Sequence, residues 1–218
     1  PAIINPILVN DWLFTYGLLL ITSYIIKKKD GYFYFGLVLC AITRQTSQVL
    51  NLVFVLVILY NLIFKKKIKV DIYFFGIIIN ISIFICLSVI SSIFTGGFNK
   101  EMYIDHIFGI FYFNYDLLDL LIFILHFLNA YFFEIILLFF LLTNFEFYKK
   151  FMKFEVILIA ILGLSIWIQP FLAGPSVDYG NISRLTILSL PVILIVFLFI
   201  FKELEVKSSY TIIIILLL

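Results

Sequence analysis

The feature that most constrains this chain is its pattern of long apolar runs separated by short lysine clusters. Most runs hold about twenty nearly uncharged residues, the length that an α-helix needs to cross a hydrocarbon core roughly 30 Å thick. The pattern therefore predicts an all-α fold, a polytopic bundle of transmembrane helices. The runs lie at about 8–26, 32–64, 72–94, 117–143, 154–172 and 185–201, and another begins at 210.

The composition excludes the two other common architectures. A soluble domain of 218 residues could not bury a chain that is 64% hydrophobic and 13% charged, because most side chains of a small protein meet water. An outer-membrane barrel needs strands of about ten residues with alternating polarity. The run from Ile135 to Leu142 does not alternate at all.

The basic residues predict an orientation, since short loops rich in lysine and arginine remain cytoplasmic. Placing all the lysine clusters inside accounts for 12 of the 15 basic residues and leaves Arg44, Lys100 and Arg184 elsewhere. The clusters are Lys27 to Lys29, Lys65 to Lys67 with Lys69, Lys149 and Lys150 with Lys153, and Lys202 with Lys207.

This orientation requires residues 31–64 to cross an even number of times, because both ends adjoin cytoplasmic lysines. At about 1.5 Å per residue the segment gives about 51 Å of helix, too little for two full crossings. We therefore predict a short, partly re-entrant helical hairpin that turns near Arg44 to Gln48, between full spans. The alternative is a single tilted helix, which would place the later lysine clusters outside.

The chain is predicted to be one integral membrane region, residues 1–218, truncated at both ends. No linker divides it, Pro1 is not an initiator methionine, and the last apolar run is too short to span. Cys40 and Cys86 lie in apolar runs and are expected to be core residues. The net charge of +2 is too small to indicate a nucleic-acid partner.

Arg44 is the first candidate for function, because an ionisable residue at membrane depth needs a cavity or a partner. Its planar fork suits a phosphate or carboxylate, and Gln45 and Gln48 add polar groups beside it. The alternative is an arginine at a helix tip that reaches lipid headgroups. Asp11 could bind a metal ion or substrate at the outer membrane edge, or could be a helix N-cap.

Later polar residues leave further alternatives open. Arg184 would supply a second outer guanidinium for a phosphate group, with Asp178 beside it, although these two residues could instead form a local salt bridge. His126 and Glu134 share one helical face. They could form a proton relay, as in a transporter, or a hydrogen-bonded seam between helices.

Three short segments resemble the GT-C superfamily of membrane glycosyltransferases, which use polyprenyl-phosphate-linked sugars. They are the run from Pro6 to Lys29 with Asn10-Asp11, the run from Leu39 to Thr46, and Arg184 followed by an apolar helix containing Pro191. The Arg-Gln-Thr triplet is similar to one in dolichyl-phosphate-glucose α-1,2-glucosyltransferases. The predicted topology of most of the chain resembles that of the superfamily, and about twenty residues resemble it in sequence.

The resemblance implies that Asp11 is the second acidic position of the superfamily and that Arg44 and Arg184 contact phosphate. The catalytic base would lie upstream of Pro1, and a divalent metal ion is a candidate cofactor. The expected function is transfer of a sugar from a polyprenyl-phosphate donor at the outer face. A transporter or flippase, and a polymerase of oligosaccharide repeat units, are the alternatives. Frequent Ile, Phe, Lys and Asn suggest an AT-rich genome and a bacterial inner membrane.

Overall fold

The computed structural model describes residues 6–64, 69–95, 116–130, 154–169 and 188–196, with positions 132, 135 and 198. Within these ranges all regular structure is helical, as predicted. The chain divides into two compact units, Pro1–Ile104 and Asp105–Leu218. The apolar run that begins at 210 lies outside the described residues.

The described part of the first unit contains four α-helices and one short 3-10 helix. Helix α1 ends where Lys28 adopts a left-handed conformation, with φ of 57°, and donates its backbone N–H to the Tyr24 carbonyl at 2.7 Å. This is a common way for a helix to stop, because it satisfies a carbonyl of the last turn. The elements are α1 Pro6–Lys27, α2 Asp30–Thr43, the 3-10 helix Gln45–Ser47, α3 Gln48–Phe64 and α4 Val70–Thr95.

The second unit contains helices α5 Leu117–Ala130 and α6 Phe154–Trp167, and residues 188–196 are helical as well. Helix α6 buries one face and packs against the later helical segment. A Cβ added at Gly163 would lie 3.1 Å from Cγ1 of Ile193. The small residue therefore allows close packing inside this unit.

Three described helices are long and apolar enough to cross a membrane: Val9–Lys27, Thr46–Phe64 and Val70–Ile93. Helix α2 is equally apolar but has only 14 residues. Large apolar side chains on the outside of these helices, such as Leu52 at 64% exposure and Ile93 at 72%, would be costly in water. These features are those of a membrane protein.

The predicted turn near Arg44 is present. Arg44 has extended backbone angles, φ −150° and ψ 136°, which end α2. The rings of Phe33 in α2 and Phe54 in α3 lie 5.2 Å apart, centroid to centroid. Because each ring is ten or eleven residues from Arg44, this contact requires the two helices to run side by side in opposite directions. Helices α2 and α3 therefore form a hairpin.

The lysine-bearing helix ends of the first unit meet at one end. Lys69 contacts Asp30 with 3.3 Å between Nζ and Oδ2, and next to this pair the ring of Tyr73 packs on those of Tyr24 and Phe33. From this end, the 14 residues of α2 rise about 21 Å, whereas the 26 residues of α4 rise about 39 Å. The hairpin therefore turns well short of the far end of α4.

Helices α1 and α2 cross at two glycines. A Cβ added at Gly36 would lie 2.6 Å from the backbone oxygen of Gly17, and one added at Gly17 would lie 2.7 Å from Sγ of Cys40. Small residues at such crossings let transmembrane backbones approach closely. Cys40 is buried there as expected, but Cys86 is exposed on α4, so the prediction that both cysteines are core residues is wrong for Cys86.

Candidate functional site

The two leading candidates from the sequence form an ion pair. Nε of Arg44 donates to Oδ1 of Asp11 at 2.8 Å, and Nη2 donates to the same oxygen. The side chains are only 15% and 12% exposed. The pair joins the turn of the hairpin to α1, and residues 33 positions apart in sequence thus share one site.

Local structure explains why the side chains of Arg44 and Asp11 meet beside the hairpin turn. Arg44 follows the last residue of α2, where a cation is favoured by the partial negative charge of a helix C-terminus. Asp11 lies inside α1, which begins at Pro6, so the alternative that Asp11 is a helix N-cap is wrong. One edge of the guanidinium faces Asp11. The other edge, which includes Nη1, makes no hydrogen bond within the part of the chain that the structure describes.

A cluster of polar side chains, which we call the amide cluster, fixes the hairpin turn to the middle of α4. Its members are Ser47, Gln48, Asn51 and Asn80. Nδ2 of Asn80 donates to the Ser47 backbone oxygen at 2.8 Å and to Oδ1 of Asn51 at 3.0 Å. Oδ1 of Asn80 accepts from Oγ of Ser47 at 3.1 Å and from Nε2 of Gln48 at 3.2 Å. Asn80 and Ser47 are completely buried.

A cavity of about 220 Å³ adjoins Arg44 on the side of the hairpin turn. We call it the tip cavity. One wall is the last turn of α2 and the other is the part of α4 beyond Asn80. Its lining residues are Ala41, Ile42, Thr43 and Arg44 from the hairpin, and Phe84, Leu87, Ser88 and Ser91 from α4.

The tip cavity lies on the side of the unit away from the lysine-bearing ends. Phe84 and Ser91 are 14 and 21 residues beyond Val70, which corresponds to heights of about 21 and 31 Å along α4. A ligand in the cavity would therefore sit toward the end of α4 that lies away from Lys69.

The structure brings together some, but not all, of the residues that the sequence indicated. Gln48 belongs to the amide cluster, and Gln45 begins the 3-10 helix next to Arg44. Asp178 and Arg184 lie outside the described residues, so their grouping with Arg44 stays a prediction. The same is true of a contact between His126 and Glu134. His126 is exposed on α5, and Glu134 lies outside the described residues.

The candidate metal ion gains no site from the described residues. Among them, no three His, Cys, Asp or Glu side chains come together in a way that could hold one. Asp11 contributes a carboxylate, but its nearest charged partner is the guanidinium of Arg44. A metal site stays a prediction that depends on other parts of the chain.

The sequence contained a signal for the α4 side of the site. Asn80, Phe84, Ser88 and Ser91 recur at helical spacing, so they share one face of α4. Asn80 begins an Asn-Ile-Ser triplet, which matches a glycosylation acceptor, but this triplet lies inside an apolar helix. An asparagine in the middle of a highly apolar helix needs a hydrogen-bonding partner. Ser88 and Ser91 follow it on the same face, and this is the face that carries the tip cavity.

Comparisons of the chain with protein-family models, with curated proteins and with solved structures give no match.

We expect Asn80→Ala to lower the free energy of unfolding by about 1–2 kcal/mol, because the buried donors and acceptors of the amide cluster would lose their common partner. The measurement is unfolding in mixed detergent micelles. Ser82→Ala is the matched control, since Ser82 is exposed two residues along the same helix. Equal stability of the two variants would contradict a bracing role for Asn80.

Proposed function

We propose that this protein is a multi-pass membrane glycosyltransferase that takes a sugar from a polyprenyl-phosphate donor at the outer face of a bacterial inner membrane. The observation that carries the proposal is the guanidinium of Arg44, held by Asp11 at the wall of the tip cavity. The resemblance of the Asn10-Asp11 and Arg44 segments to GT-C enzymes points in the same direction. Placing the lysine-bearing ends in the cytoplasm makes the hairpin re-entrant from that side.

Arg44 would bind the phosphate of the donor. A guanidinium carries five N–H groups in a rigid fork that matches phosphate oxygens. Asp11 takes one edge of this fork and fixes the plane of the group. The edge that includes Nη1 would then face the donor, and the apolar outer surfaces of the helices would accompany the polyprenyl tail in the lipid.

Sugar transfer places a definite demand on this arginine. An acceptor hydroxyl oxygen forms a bond to the anomeric carbon, while the bond from that carbon to the phosphate oxygen breaks. The electron pair leaves with the polyprenyl phosphate, and the hydroxyl proton passes to a base. Negative charge on the departing phosphate increases during this step, so a guanidinium already in place stabilises the transition state more than the ground state. The base is expected in a part of the protein outside the described residues.

The test is release of polyprenyl phosphate from polyprenyl-phosphate-glucose and polyprenyl-phosphate-mannose by the full native chain in native membrane vesicles, which supply the acceptor hydroxyl. We expect Arg44→Lys to slow release about tenfold to a hundredfold, because lysine keeps the charge opposite Asp11 but lacks the fork. Lys69→Arg, at the opposite end of the unit, is the control and should leave release unchanged.

Two outcomes would contradict the proposal at different levels. Release at the unmodified rate by Arg44→Lys would remove Arg44 from the site. Absence of release by the unmodified chain with every donor, in membranes that also supply acceptor, would overturn the glycosyltransferase function itself.

A further inference from the structure

The tip cavity extends beyond Arg44 into space that a phosphate group alone would not fill. Its volume is about 220 Å³, many times the roughly 10–15 Å³ that one water molecule needs. Sites for drug-sized ligands are larger, about 300–1,000 Å³. The cavity therefore suits one small ring, and it is too small for a polyprenyl tail or an oligosaccharide.

The lining beyond Arg44 is polar but uncharged. The Thr43 hydroxyl donates to the Leu39 backbone oxygen at 2.7 Å, so it offers the cavity an acceptor. The lining also includes the hydroxyls of Ser88 and Ser91, a group that can both donate and accept. Helix α2 ends at Thr43, and its last backbone hydrogen bond runs from the Arg44 N–H to the Cys40 oxygen at 3.1 Å. The carbonyls of Ala41 and Ile42 lie beyond this bond and can act as acceptors. Phe84 and Leu87 add apolar surface on the α4 side. This combination matches a ring that carries several hydroxyls and has an apolar face.

The same lining disfavours a second anionic group. The C-terminal end of a helix carries partial negative charge, which repels anions and favours donors. Arg44 is the single charged residue among the lining residues, and Asp11 offsets part of its charge. An anion is thus favoured only at the Arg44 end, and a neutral hydrogen-bond donor is favoured along Ala41 and Ile42.

We infer that the tip cavity binds the monosaccharide ring of the lipid-linked donor, with its hydroxyls on Thr43, Ser88, Ser91 and the α2 carbonyls, and with its phosphate at Arg44. This inference rests on the proposed function and makes the α4 face a determinant of sugar selectivity. Ser88 is central to that role, because it lies one turn above Phe84 and one turn below Ser91 in the wall of the cavity.

The test compares binding of three lipids to the full native chain in nanodiscs: polyprenyl phosphate, polyprenyl-phosphate-glucose and polyprenyl-phosphate-mannose. We expect the unmodified chain to bind at least one sugar-bearing lipid about tenfold more tightly than bare polyprenyl phosphate, which corresponds to roughly one or two net hydrogen bonds. Ser88→Leu, which fills the cavity, should abolish this preference and leave binding of bare polyprenyl phosphate unchanged.

Two controls separate the sugar site from the phosphate site. Val89→Leu adds similar bulk on the neighbouring exposed position, where Val89 is 52% exposed, and should keep the preference. Arg44→Lys should weaken binding of all three lipids by a similar factor, because it affects the phosphate contact that they share.

The outcomes distinguish this inference from the proposed function. A preference that survives Ser88→Leu, or an unmodified chain with no preference for either sugar-bearing lipid, would overturn the sugar site while Arg44→Lys could still support phosphate binding. Binding of none of the three lipids by the unmodified chain would overturn the proposed function, and the sugar site with it.

Discussion

Replacing Asp11 with alanine is expected to lower the free energy of unfolding by about 3 kcal/mol. The change leaves the largely buried guanidinium of Arg44 without its counter-ion, and removing one partner of a buried ion pair usually costs about 3–5 kcal/mol. The lower end of this range is appropriate because both side chains keep some exposure, 12% for Asp11 and 15% for Arg44. Insertion measurements give a similar cost for an unpaired arginine at a helix centre, about 2.5–3.5 kcal/mol.

The double variant with alanine at both Asp11 and Arg44 should lose much less free energy of unfolding than the two single variants lose together. Arg44→Ala alone leaves the Asp11 carboxylate without the guanidinium, whereas Asp11→Ala with Arg44→Ala leaves no charge to solvate. We therefore expect a coupling energy of about 2 kcal/mol from the double-mutant cycle, within the range for residues in direct contact. The measurement is the free energy of unfolding in mixed detergent micelles for all four proteins.

The pair of Lys69 and Asp30 supplies a matched control in the same unit. Its side chains are 68% and 44% exposed, and the Nζ to Oδ2 distance is 3.3 Å. An exposed pair of this kind contributes about 0–1 kcal/mol. A coupling energy for Asp11 and Arg44 no larger than that for Asp30 and Lys69 would show that the hairpin turn is not held by the buried pair.

The hairpin was predictable from the sequence because two features constrain this segment together: the lysines at both of its ends, and its length. Lysines at both ends of residues 31–64 require an even number of crossings, and 34 residues are too few for two complete ones. The position of the turn followed from Arg44 and the polar residues after it. These arguments use only counts along the chain, so they need no knowledge of which helices are neighbours.

The partner of Arg44 was not predictable in the same way. Asp11 and Arg44 were both indicated as residues of the outer face, but a pattern along one helix does not show which helix lies beside it. The contact depends on how closely α1 and α2 cross, and this depends on Gly17 and Gly36 together. The tip cavity has the same origin. It exists because α4 is longer than the hairpin that packs on it, a relation between elements rather than a property of either one.

The glycine crossing should itself be sensitive to a single methyl group. Gly36→Ala is expected to lower the free energy of unfolding by about 2–3 kcal/mol, the range for overpacking that backbone shifts must relieve. The added Cβ would lie 2.6 Å from the Gly17 backbone oxygen and 2.9 Å from Cβ of Leu20. Neither is the far end of a flexible side chain, so the helices must separate.

Gly31→Ala is the matched control on the same helix, since a Cβ added at Gly31 meets no atom within 4 Å. There the change should be neutral or should raise stability by up to about 0.5–1 kcal/mol, because alanine loses less conformational freedom in a helix than glycine does. Equal effects at Gly31 and Gly36 would show that helix propensity, and not the crossing, determines the result.

Gly36→Ala should also weaken the ion pair of Arg44 and Asp11, although Gly36 is not part of it. Separating α1 from α2 moves the end of α2 away from α1, so Arg44 and Asp11 would meet less closely. We expect the coupling energy of that pair to fall by at least half when the double-mutant cycle is repeated with Gly36→Ala in all four proteins. An unchanged coupling energy would mean that the hairpin turn is positioned by the amide cluster of Ser47, Gln48, Asn51 and Asn80 on α4 rather than by the crossing at Gly17.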